Sequence, residues 1–133
     1  MLKAGDRFEH RFTINQEEVN QFAEVTGDTN PIHLDSDYAS KTPFKKTIIH
    51  GIFSTAVFSK ILGTHFPGEG SIYLGQEVQF KRPMFPGEEY TAVVTLEEVN
   101  SVKHIGTFKT EIFNSAGKQT VGGMATVKHD EKI

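Results

Sequence analysis

The segment Gly27-Asp-Thr-Asn-Pro-Ile-His33 sets a carboxylate, Asp28, five residues before an imidazole, His33. A carboxylate and an imidazole held close together can orient a water molecule and pass protons to and from a reacting group. Turn formation competes as an explanation. Asp28 suits an Asx turn, and residues 27–31 have the composition of a helix C-cap followed by a loop. On residue types and spacing alone, the turn is favoured over catalysis.

The elements around the pair have readable signals. Residues 5–12 alternate Phe8, His10 and Phe12 with Arg7, Glu9 and Arg11, the pattern of a half-buried strand. Asn15 followed by Glu18 predicts a capping box, and Val19, Phe22, Ala23 and Thr26 then mark one face of a helix that Gly27 ends. Asp35 or Ser36 can cap a short helix through Tyr38 and Ala39, and residues 41–46 read as loop. Residues 47–63 are apolar almost all round, which predicts a helix buried along its length, with Gly51 at its N-terminal end and Gly63 as its C-cap. From residue 72 the period changes. Residues 72–80, 90–99, 102–113 and 120–128 are strand-length segments joined by turn-forming residues. The pattern predicts an α+β fold in which an antiparallel sheet packs on a helix.

At 133 residues the chain is expected to form one domain, 1–133. An apolar fraction of 37% and a charged fraction of 23% fit a soluble globular protein. The sequence has no apolar run of membrane-spanning length and no export leader, so a cytoplasmic location with no membrane partner is expected. Absence of cysteine excludes disulfides and thiolate metal sites. A net charge of −3, with no basic cluster beyond Lys45-Lys46, argues against a nucleic-acid partner. No His, Asp or Glu spacing resembles a metal site, and no nucleophile elbow is present.

The string Phe22-Ala-Glu-Val-Thr-Gly-Asp-Thr-Asn-Pro-Ile-His33, with Ala39 six residues on, resembles the signature of the (R)-specific enoyl-CoA hydratases, the MaoC-like or hydratase-2 group. The likeness continues through Ile49-His50-Gly51, through residues 70–80 and through Pro86-Gly-Glu88. It implies the hot-dog fold, an antiparallel sheet wrapped around a buried central helix, and a homodimer with sites at the subunit interface. The implied activity is reversible hydration of a short- to medium-chain trans-2-enoyl-CoA to the (R)-3-hydroxyacyl-CoA, with no cofactor beyond the CoA thioester itself. Asp28 and His33 would hold and activate the water, and the Gly51 N–H would stabilise the thioester oxyanion. Asn30 would brace the loop or the His33 ring, and Ser59 matches a position that faces the active site. Phe53 and Leu62 are the candidate acyl-tunnel residues. Lys45, Lys46, Lys81 and Arg82 are unranked partners for the CoA phosphates, and His50 is read as structural. The string His65-Phe-Pro-Gly68 matches a motif of acyl-carrier-protein dehydratases, but here it follows the long helix and is read as a turn. A hot-dog thioesterase and a non-catalytic acyl-CoA-binding module are the alternatives.

Overall fold

The computed structural model describes residues Met1–Ile133. In chain order it contains β1 (Arg7–Thr13), α1 (Gln16–Thr26), α2 (Pro31–Leu34), α3 (Ser36–Ser40), α4 (Gly51–Thr64), β2 (Ile72–Phe80), β3 (Glu89–Asn100), β4 (Ile105–Asn114) and β5 (Gln119–Lys128). The five strands form one antiparallel sheet in the order β1-β3-β4-β5-β2. The sheet wraps α4, as the hot-dog fold requires.

Strand periodicity supplies the core. Tyr90, Ala92, Val94 and Leu96 of β3, Phe108 and Ile112 of β4, and Val121, Ala125 and Val127 of β5 are all buried on the sheet face that meets α4. The helix contributes Phe58, Ile61 and Leu62 to the same cluster. The other four-residue spacings of α4 tell a different story. Ile52 is 58% exposed, and Ala56 and Ser59 on its face are exposed as well, so in the single chain α4 is not buried along its length.

Helix boundaries follow the capping chemistry where capping chemistry exists. Asn15 and Glu18 form the expected reciprocal box at the start of α1, and Gly27 takes the left-handed conformation, φ 81°, at its end. Asp35 caps α3 by accepting from the N–H groups of Asp37 and Tyr38. Three expectations are corrected. The long helix starts at Gly51, not at residue 47, because the main chain of Ile48 and Ile49 bonds outward to Ile32 and Met84. Gly63 lies inside that helix; the cap is His65, whose N–H reaches the Ile61 carbonyl. The fourth strand starts at Ile105, not residue 102, because residues 101–104 form a turn with His104 at φ 57° and Val102 in solvent. A further element, α2, has no apolar periodicity to announce it and is set up by Asn30 as N-cap and Pro31 in the first turn.

No helix is long and apolar enough to cross a membrane. The Phe58 ring is fully buried between α4 and the sheet. Phe58→Ala is expected to destabilise the fold by about 3–5 kcal/mol, read from the urea midpoint; a loss under about 1 kcal/mol would mean that the ring does not fill the core.

Candidate active site

Each member of the site is positioned by a short element with its own local reason to form. Asp28 follows the Gly27 cap of α1, and its Oδ1 accepts from the Asn30 N–H in an Asx turn at 3.4 Å. The Asn30 side chain accepts from the Ile32 N–H and so caps α2, the single turn of helix that carries His33. Asn30 therefore braces the loop and makes no bond to the His33 ring. Thr47 to His50 pass beneath as an irregular strand, with Ile48 N–H on the Ile32 carbonyl and Ile49 N–H on the Met84 carbonyl. Gln16 ties these parts together. Its Nε2 donates to the His33 carbonyl at 2.8 Å and its Oε1 accepts from the Thr47 hydroxyl at 2.7 Å.

The irregular strand fixes the protonation pattern of His33. The Nδ1 of that ring is 2.8 Å from the Ile48 carbonyl. A carbonyl only accepts, so Nδ1 carries the proton and Nε2 of the neutral ring keeps its lone pair. Burial pushes the His33 pKa below its ordinary 6.5; the Ile48 hydrogen bond and Asp28 pull the other way, and His50 adds to the lowering. His50 stacks on His33 with ring centroids 3.8 Å apart. Phe22 packs on His50 at 4.7 Å and Phe53 on Phe22 at 4.6 Å, so a four-ring column joins α4, α1, the irregular strand and α2.

Asp28 and His33 face one pocket of about 530 Å³, lined also by Gly51, Ser54, Phe80 and Met84 among others. One oxygen of Asp28 and one nitrogen each of His33 and His50 lie within 4.8 Å of one another. A single water can bridge such a gap with two hydrogen bonds of ordinary length. By distance alone the three groups could also share a metal ion. However, one nitrogen of each ring is committed to a main-chain carbonyl, and the second nitrogen of His50 is buried without a hydrogen-bond partner. Gly51 opens α4, and its N–H makes no hydrogen bond within the chain. That end of the helix carries partial positive charge. A methyl group on Gly51 would meet the Phe80 ring at 2.9 Å, so any larger residue there would have to displace that ring.

The remaining residues singled out by sequence lie elsewhere or were unranked. Ser59 is exposed in a separate depression between α4 and β2, beside Tyr73 and Leu74; Ile52 borders both hollows. Leu62 is fully buried in the core, and Phe53 ends the ring column, so neither lines the pocket in the single chain. Lys81 and Arg82 do line it. Lys46 instead pairs with Glu88 and lies over the Phe85 ring, and Lys45 sits away from the pocket. His65 stacks on Phe8 in a turn past α4, as read, and takes no part. Sequence reasoning missed Gln16, whose side chain bonds the His33 carbonyl and the Thr47 hydroxyl, and Ile48, whose carbonyl meets the His33 ring; no spacing reveals either. For His50 one signal existed: a histidine in an otherwise apolar run must find a hydrogen-bond partner when buried.

Residues 2–117 match the family described as MaoC like domain. An (R)-specific enoyl-CoA hydratase from Aeromonas caviae is 41% identical over 127 residues, covering 96% of this chain and 95% of that protein. An (R)-specific enoyl-CoA hydratase from Rhodospirillum rubrum is 40% identical, covering 95% of this chain and 87% of the relative. Among solved structures, the (R)-hydratase from A. caviae involved in PHA biosynthesis superposes with a TM-score of 0.94 at 41% identity, covering 96% of this chain and 97% of that one. The R-hydratase PhaJ1 from Pseudomonas aeruginosa, in its unliganded form, gives 0.93 at 39% identity over 98% of this chain and 84% of its own.

The lowered pKa of His33 has a consequence for stability. As pH falls below about 6.5 the unfolded chain binds its proton first, so the folded state loses ground on acidification and loses none above that value. His10, lowered by burial and then by Lys60 and His65, acts in the same direction. The melting temperature is expected to fall between about pH 7.5 and pH 5.5, and less steeply in His33→Asn. An unchanged slope in that variant would remove His33 from the effect.

Proposed function

This chain belongs to the MaoC-like domain family, and on that premise we propose that it is an (R)-specific enoyl-CoA hydratase. It adds water reversibly to a short- or medium-chain trans-2-enoyl-CoA and gives the (R)-3-hydroxyacyl-CoA. One observation carries the reading: a carboxylate, a neutral imidazole and an unpaired helix-terminal N–H border a single pocket.

The chemistry follows from that arrangement. A water held between Asp28 and the Nε2 side of His33 is deprotonated as its oxygen attacks C3 of the enoyl group. The π electrons move toward the thioester, and the developing oxyanion is met by the Gly51 N–H at the positive end of α4. A proton then reaches C2, and the oxyanion collapses to the thioester. Water is the only co-reactant and no electrons are gained or lost, so the reaction calls for no redox cofactor. Asp28 and His33 share the proton traffic as one coupled pair. Lys81 and Arg82, at the pocket wall, are the cations placed to meet CoA phosphates.

The catalytic unit in this reading is a homodimer working in the cytoplasm. Strand β2 pairs only with β5, leaving its other edge open, and Ile72, Leu74 and Phe80 on it are each more than half exposed. Ile52 of α4 adds to this apolar surface. A second copy would cover it, and could extend the pocket past Ile52 toward Ser59.

The decisive assay follows loss of the enoyl-thioester absorbance with crotonyl-CoA, with the product tested against (R)- and (S)-specific dehydrogenases. Loss of the band with (R)-product is expected; release of free thiol without hydration would support a thioesterase instead. Asp28→Asn and His33→Ala should each lower kcat by on the order of 10²–10⁴ with the fold retained. A variant within a few-fold of wild type would take that residue out of the mechanism. Light scattering at micromolar concentration should give a dimer mass, and an active monomer would overturn the quaternary part.

A further inference from the structure

We propose that His50 is a positioning residue: its ring tethers the main chain of Asp28 and thereby sets the catalytic carboxylate against His33 and Gly51. The inference rests on the hydratase reading and adds to it a residue that acts through the main chain of Asp28.

The loop that carries Asp28 holds itself in place only locally. Gly27 N–H bonds to Ala23, Asp28 N–H to the Thr26 hydroxyl at 3.2 Å, Thr29 N–H to Gly27, and Asn30 N–H to the Asp28 carboxylate. Asn30 in turn accepts from Ile32 and His33. All of these bonds span four residues or fewer. At the far end of the turn, α2 is anchored to Gln16 and Ile48. At the Asp28 end one bond crosses to a distant part of the chain, and it joins His50 Nε2 to the Asp28 carbonyl at 3.0 Å, 22 residues apart. His50 therefore fixes the Asp28 end of the turn.

The ring is built for that single task. It is 1% exposed, clamped between Phe22 on one side and His33 on the other. Because a carbonyl can only accept, Nε2 carries the hydrogen. His50 Nδ1 is buried with no partner. A proton on Nδ1 would have no acceptor and would put positive charge against the stacked His33 ring, so Nδ1 stays bare. Leaving a polar atom buried and unpaired costs stability, and a structural role alone would be served better by a leucine or phenylalanine of similar size. The next residue is Gly51, so the same short stretch that holds Asp28 also aims the helix-terminal N–H.

The test compares His50→Gln, whose amide can still donate to the Asp28 carbonyl, with His50→Leu, which fills the space and donates nothing. With crotonyl-CoA, the leucine variant should lose kcat by on the order of 10²-fold with KM changed only a few-fold, and glutamine should restore most of the loss. A folded leucine variant with wild-type kcat, or a folded glutamine variant as slow as leucine, would overturn the proposal. Nitrogen-15 spectra of the wild-type histidines decide the point independently of folding variants and of turnover. The expected signature at pH 7 is hydrogen on Nε2 and a bare Nδ1 for His50; hydrogen on Nδ1 would overturn it. If the wild-type protein fails to hydrate enoyl-CoA at all, the hydratase reading falls. The tether is then judged by the Asp28 carbonyl resonance, which should move in the leucine variant and hold in the glutamine one; the same resonance in both variants would refute it.

Discussion

The site depends on where a buried, irregular stretch of main chain puts its hydrogen bonds. Ile49 and His50 are almost wholly buried, yet residues 47–50 belong to no helix and pair with no strand of the sheet. Buried main-chain polar groups cost free energy unless paired, so the stretch must find partners outside regular structure. It finds them in α2 through Ile32, in the loop before β3 through Met84, and in the His33 ring through the Ile48 carbonyl. Three elements far apart in sequence are brought to one place by that requirement. The orientation of His33 and the start of α4 at Gly51 both follow from it.

Burial of His33 comes at the expense of acid stability. Desolvation is the largest influence lowering the His33 pKa, and it keeps the ring neutral with its Nε2 lone pair available. The same desolvation makes protonation costly to the fold. The ring column from Phe53 through Phe22 and His50 to His33 makes the burial possible. Phe53 thus supports the site from behind. It stacks on Phe22 and stands away from the pocket.

The pocket lies at the side of the molecule where the sheet ends. Phe80, at the end of β2, packs on Gly51, and Ile52 stands exposed beside it. An apolar helix face and an open strand edge meet there. Ser59 lies on this face of α4, further along from Ile52. Ile52 is the shared border between that hollow and the pocket.

The sequence by itself determined the parts whose cause is local. The capping box of Asn15 and Glu18, the Gly27 stop, the Asp35 cap and the alternation of β1 are written in neighbouring residues, and the α+β class follows from the order of the elements. The signature around Asp28 and His33 was legible as a resemblance, because twelve consecutive residues carry it. Tertiary structure decided the rest. An apolar run cannot say whether Ile48 and Ile49 continue a helix or leave it to bond elsewhere, since both states bury the same side chains. Nor can periodicity report that the Ile48 carbonyl meets the His33 ring, that His50 reaches back 22 residues to Asp28, or that Leu62 turns to the core while Ser59 turns out. Those outcomes depend on main-chain hydrogen bonds and on the sheet's choice of helix face. Both are settled only when distant segments compete for the same partners.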